Sequence, residues 1–157
     1  MRICLTRLSN DRHRLAVTRA GGACIERDLE TRSVLLHDLV HYAVEAEAGI
    51  DDGFWGLLAA GADFDDLVRE ASAPSRRGIV LVEALVGPMQ AVWNGRLDAD
   101  HYVALARRQA PFVDRAFVDR VLQRLRRLWG HWRGTPFHRT MELVWPPADP
   151  TAPPASG

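Results

Sequence analysis

Residues 31–49, TRSVLLHDLVHYAVEAEAG, leave the chain little choice, because their apolar positions recur with the period of an α-helix. With His37 at zero and 100° per residue, His41 falls at about 40°, Glu45 at about 80° and Asp38 at about 100°. Leu36, Leu39, Val40, Ala43 and Val44 fill an arc from roughly 200° to 340°, a stripe that faces a core. Leu35, Tyr42 and Ala46 widen the apolar surface on the other flank, so the polar strip is narrow. A fold that contains this helix must bury most of its circumference.

The strip itself carries chemistry. Two histidines one turn apart can direct both rings at one ion, which is the basis of the two-histidine helix in zinc enzymes. Metalloproteases of the HExxH type place Glu where this chain has the shorter Asp38, which ranks a protease below other metal chemistries. Glu45 lies about 12 Å along the axis from His37, too far to share an ion with it, and fits better as a partner orienting His41. The same four residues also describe the wet face of an ordinary helix. Against that stands the absence of any Arg between Ser33 and Val68.

The charge distribution points the same way. The formal net charge is zero, so bulk electrostatics favours neither nucleic acid nor membrane. Residues 26–70 nevertheless hold twelve acids against three Arg, whereas residues 71–145 hold twelve Arg against six acids. The histidine-bearing helix thus lies in an acidic middle that suits a cation.

Ahead of it, residues 2–8, 13–19 and 23–30 read as a three-stranded meander, turning at Asn10-Asp11 and Ala20-Gly21-Gly22. Arg2, Arg12, Arg14 and Arg19 belong on edges or the wet face. Cys4 and Cys24, the only cysteines, read as buried small hydrophobes of a reducing compartment. Thr31 or Ser33 can cap the key helix and Gly49 can end it. Short helices follow at 53–60, capped by Asp51 or Asp52, and at 63–71, where Phe64, Leu67 and Val68 face inward and Ala73-Pro74-Ser75 breaks the chain.

Residues 76–94 form the most apolar segment, with Gly87-Pro88 expected to kink or break the helix. Glu83 sits alone in its middle. A buried carboxylate must be protonated, hydrogen-bonded or paired with a cation, so Glu83 is either an exposed or Arg124-paired residue or a ligand opposite His37 and His41. Asp98 or Asp100 caps a helix at 99–109 that places His101 in its first turn, a second candidate to complete the site. A long helix at 112–132 carries an apolar stripe and, opposite it, Arg115, Arg120, Arg124, Arg126, Arg127 and Arg133. That face can meet an acidic partner, pair with the acidic middle of the chain or stay wet. Gly130 and Gly134 bound a loop with His131 and His138, and MELVW at 141–145 reads as a last strand. The Pro-rich segment 146–157 has too little apolar area to order itself.

HDLVHYAVEAEAG followed by GFWGLLAAG resembles small uncharacterised bacterial proteins built on an HDLVH-type helix. His37, Asp38 and His41 also resemble the start of the HDxxH zinc motif of the ubiquinone-biosynthesis scaffold family, in which a Glu follows after eleven further residues. Gly53 stands at that position, next to Asp52.

The expectation is one α+β domain over residues 1–145. A small antiparallel sheet, made of the N-terminal meander and the C-terminal strand, packs on a helical body. The leading functional expectation is a metal-binding protein, more finely a metal-dependent hydrolase. His37, His41, Glu83 and His101 are its candidate ligands to Zn²⁺ or Fe²⁺, Asp38 its general base and Glu45 the orienting carboxylate. The rival is a non-catalytic interaction module that binds an acidic protein or nucleic acid through helix 112–132. Substrate and protein partner stay open, nucleic acid ranks low, and a homo-oligomer is compatible with five Trp. With no signal core and no run of about 20 apolar residues, a cytoplasmic protein is expected.

Overall fold

The computed structural model describes residues 1–72 and 76–147, without the side chain of Ser72. The expected break at Ala73-Pro74-Ser75 and the Pro-rich segment from residue 148 onward lie outside these residues.

Three strands, β1 (Arg2–Arg7), β2 (Arg12–Thr18) and β3 (Cys24–Glu30), form the meander, and β4 (Thr140–Val144) returns to pair with β1. The order is β3-β2-β1-β4, with every neighbouring pair antiparallel. The alternation that identified the strands also sets the register. Leu5 lies between Leu15 and Met141, Ile3 between Val17 and Leu143, and this face meets the helices. Arg2, Arg12, Arg14, Glu26, Asp28 and Glu142 populate the open face. Neither cysteine is buried as expected. Cys4 is half-buried and Cys24 exposed, because their parity in the strands puts them on the open face, and both are free thiols.

Glu30 ends β3 and starts the key helix. Its carboxylate accepts the backbone N–H groups of Arg32 and Ser33 at 2.6 and 2.8 Å, together with the Ser33 hydroxyl. These bonds, Ser33 foremost, hold its carboxyl down at about 2. The cap is therefore Glu30 and not Thr31 or Ser33. A wide π-helical turn, Thr31–Leu35, intervenes before α1 (Leu36–Ala48), and Gly49 closes α1 in the left-handed conformation at φ 64°.

Five more helices follow among the described residues: α2 (Phe54–Ala59), α3 (Phe64–Ser72), α4 (Arg77–Trp93), α5 (Ala99–Ala106) and α6 (Arg115–Gly134). α1 is the hub, packed chiefly on α6 and α4. Its stripe of Leu36, Leu39, Val40, Ala43 and Val44 is buried, as are Val82, Val86 and Met89 of α4 and Val118, Val121 and Leu125 of α6. Arg19 does not stay on the wet face but turns under the sheet and binds the carbonyls of Leu58 and Ala62 at the end of α2.

α4 passes through Gly87-Pro88 without a break. Burial of Leu85, Val86 and Met89 around the proline outweighs the one backbone bond it forfeits, and the Tyr102 hydroxyl donates to the Leu85 carbonyl nearby. α6 likewise runs on through Gly130 to Gly134, so His131 lies in its last turn and not in a loop. Val68 is exposed, one position off the buried Phe64 and Leu67 stripe of α3. No helix among the described residues is long and apolar enough to cross a membrane.

Candidate metal centre

The strip on α1 is not a wet face. His41 and Glu45 are 4% and 0% exposed, and His37 and Asp38 are half-buried. They turn inward because α4 and the α2 segment cover that side of α1.

Glu45 has two tasks. Its Oε1 lies 3.2 Å from His41 Nδ1, one turn back along α1. Both oxygens also receive the backbone N–H groups that open α2, Phe54 at 3.2 Å and Trp55 at 2.9 Å. The cap of α2 is thus a carboxylate from α1, where Asp51 or Asp52 was expected. The nominal cap position is Gly53, and a Cβ built there would come within 2.6 Å of Glu45 Oε2. Glycine is needed for the carboxylate to approach. Burial pushes the Glu45 carboxyl up, opposed by His41 and the α2 backbone.

A carboxylate can only accept, so the proton in this contact sits on His41 Nδ1. In the neutral imidazole, Nε2 then presents a lone pair on the opposite side. There it meets His37 Nε2 at 3.1 Å and Glu83 Oε1 at 3.3 Å. The candidate ligand atoms of His37, His41 and Glu83 all fall within 4.8 Å of one another. Ligand atoms about 2.0–2.1 Å from a tetrahedral ion are separated by about 3.3 Å, and closer to 3.0 Å around an octahedral one. The two separations from His41 match these values, and the His37–Glu83 separation is bounded by 4.8 Å. Glu83 Oε1 is buried yet lies off the line of any hydrogen bond. An acceptor in that position needs a positive charge or a proton to offset its desolvation, which an ion bound here or a protonated His41 at 3.3 Å would supply.

The protonation pattern follows from the same neighbours. Burial works against a charge on His41, but Glu45 and Glu83 on either side outweigh it and raise its pKa to about 9. His37 is pulled down by burial and by His41, against Glu83 and a hydrogen bond to Gln90. Glu83 is driven up by burial but held below its usual range by His41 and His37.

The three groups open into a cavity of about 510 Å³. Leu29, Val34, Phe54, Phe64, Val68 and Ala71 supply apolar wall, and Asp38, Arg27 and Asp65 line the same space. The Asp38 carboxylate makes no hydrogen bond within the protein among the described residues, and burial raises it to about 7 against the pull of His41.

His101 does not join this group. It is exposed in the first turn of α5, where Asp98 caps the helix through the His101 N–H. Glu83 does not pair with Arg124, which instead binds Glu47 together with Arg120. Arg115 pairs with Asp100 and Asp119, so the basic face of α6 is partly neutralised within the chain. One participant escaped the sequence reading: Arg27 was hidden in a strand, and its place on the inward parity was the available signal. Gly53 reads in the sequence as a residue that lets helices pack closely, and the close approach it permits is that of the Glu45 carboxylate of α1 to the start of α2.

Comparisons with protein-family models, with curated proteins and with solved structures give no match. The functional reading therefore rests on the site.

Proposed function

We propose that this chain is a metal-binding protein in which His37, His41 and Glu83 hold one Zn²⁺ or Fe²⁺ ion. Its finer activity would be metal-dependent hydrolysis of a small molecule in the adjoining cavity. One observation carries the reading: His41 Nε2 of α1 lies 3.1 Å from His37 Nε2 on the same helix and 3.3 Å from Glu83 Oε1 of α4, with the far nitrogen of His41 tied to Glu45. That carboxylate–histidine arrangement fixes the tautomer and raises the donor strength of a metal-binding imidazole. Three protein ligands leave a coordination position open, which is the mark of catalytic sites as opposed to structural ones.

When bound, the ion would supply Lewis-acid polarisation to a group entering the cavity. The Asp38 carboxylate lines the same cavity and has no hydrogen-bond partner among the described residues, so it is placed to take a proton from, or give one to, a molecule held there. Glu45 keeps His41 in register, and the apolar walls exclude water. The mixed nitrogen and oxygen ligands suit Zn²⁺ and Fe²⁺ alike.

Elemental analysis of protein purified without a histidine tag tests this. Wild type should carry stoichiometric metal, and His37→Ala/His41→Ala should lose it while keeping its circular dichroism spectrum. Metal-free wild type whose melting temperature does not respond to added Zn²⁺ or Fe²⁺ would overturn the reading.

A further inference from the structure

The inward face of the edge strand β3 reads Ile25, Arg27, Leu29, while Glu26 and Asp28 point outward. A guanidinium therefore occupies a position where the alternation calls for an apolar side chain, opposite Leu15 in the register. At this sheet edge the guanidinium stays 39% exposed, so the charge keeps contact with water while its stem lies on the inward face.

Arg27 lines the same cavity as His37, His41 and Glu83, and it is the only Arg in that lining among the described residues. Its guanidinium carbon lies 5.6 Å from the centre of the Phe64 ring, which holds the side chain against the cavity wall. Nε and Nη2 are turned together onto the two oxygens of Asp65, at 3.3 and 2.7 Å. This is the forked geometry with which Arg grips a carboxylate. The present occupant is an exposed side chain in the first turn of α3, and the two side chains are 39% and 55% exposed. An ion pair so open to water contributes little and exchanges readily with a competing anion. Leu29, Val34 and Phe64 line the same cavity as this fork and the histidines.

We propose that the cavity takes an amphiphilic carboxylate: its anionic end bound by Arg27 in place of Asp65, its apolar body along Leu29, Val34 and Phe64, and its other end over the histidines. This names the substrate class for the site proposed above and rests on that reading for its chemistry, though not for binding. A cavity of about 510 Å³ is within the range of small-molecule sites. Asp65 also lines it, but a cationic ligand would have to detach Asp65 from Arg27 and leave the guanidinium without a counter-charge, held only by the Glu26 carbonyl at 2.9 Å and by Phe64.

Calorimetric titration of chelator-treated protein with octanoate, octanol and octylammonium is the test, because without metal a carboxylate cannot bind through the ion. Octanoate should bind at least about tenfold tighter than the other two, the gap expected of one charge-assisted fork. Arg27→Gln should abolish that preference, Arg27→Lys should keep part of it, and Asp65→Asn should tighten octanoate by freeing the fork. Equal affinities for the three ligands, or an octanoate affinity untouched by Arg27→Gln, would overturn the assignment. Far-ultraviolet circular dichroism of each variant separates loss of binding from loss of fold. Protein that selects octanoate but never acquires metal would retain this assignment and lose the ion; protein that binds metal but shows no selection would do the reverse.

Discussion

His41 Nδ1 and the Glu45 carboxylate lie 3.2 Å apart, and this one contact joins the candidate centre to the fold. The carboxylate that orients the imidazole also starts α2, so loosening either end disturbs the other.

Glu45→Gln should therefore act on two observables at once. The amide presents donors where the carboxylate met three N–H groups, and breaking a buried charged network typically costs about 3 kcal/mol. Metal affinity should fall roughly 10- to 100-fold, as for other partners of a ligating histidine. Urea denaturation and chelator competition measure the two effects. An affinity equal to wild type would remove Glu45 from the site.

Gly53→Ala should mimic that variant from a residue that is not among the ligands. The added Cβ would meet Glu45 Oε2 at 2.6 Å and Val82 at 3.0 Å, so the carboxylate or the start of α2 must move. Overpacking of this kind costs about 1–3 kcal/mol. Gly130 is the contrast. It lies inside α6 with open space around its Cβ position, and Gly130→Ala should raise stability by about 0.5–1 kcal/mol. Denaturant midpoints of opposite sign are the expected outcome.

Glu83→Gln tests the ligand from α4. Shape is retained, while an amide neither offsets an ion's charge nor donates as strong a lone pair. Metal affinity should drop at least about tenfold, no less than for loss of a supporting group. If affinity is unchanged in chelator competition, Glu83 is no ligand.

His13 sets an acid limit on the fold. It is fully buried, edge-on to Trp132, with Nδ1 3.2 Å from the Thr31 hydroxyl and Nε2 unbonded. Burial lowers its pKa to about 4, against a pull upward from Glu30. The folded state thus keeps His13 neutral where the unfolded chain, at its ordinary value near 6.5, takes up a proton. Stability from this group is complete above pH 6.5 and is lost as pH falls toward 4. The full loss amounts to about 3 kcal/mol at 1.36 kcal/mol per pKa unit. His13→Gln should flatten the melting-temperature profile between those pH values. A variant with the wild-type slope would place the acid sensitivity elsewhere.

The secondary structure was legible wherever one face alone decides it. Period two in Leu15 and Val17, and the apolar stripe of Leu36, Leu39, Val40 and Val44, specify a strand and a helix without reference to anything else. The sheet of the meander plus the last strand followed from the same patterns. What escaped was set by partners far away in sequence. Pro88 forecasts a break that packing against α1 and α5 overrides, and His13 sits on a strand face whose burial its own residue type does not announce. Within the site, the spacing of His37 and His41 was readable because one helix carries both. The place of Glu83 rests on how α4 lies against α1, and the exclusion of His101 rests on how α5 turns away, neither of which local periodicity contains.

The floor of the cavity is rooted in α1 and α4, whose neighbouring residues form the core, whereas its rim is drawn from β3 and α3 at the surface. Changes to Arg27, Asp65 or Val68 remove little buried contact, while changes near His41 strike at the centre of the molecule. The preference for one guest over another can drift, or be engineered, through the rim without endangering the scaffold. Relatives of this chain should accordingly differ at the entrance long before they differ beneath it.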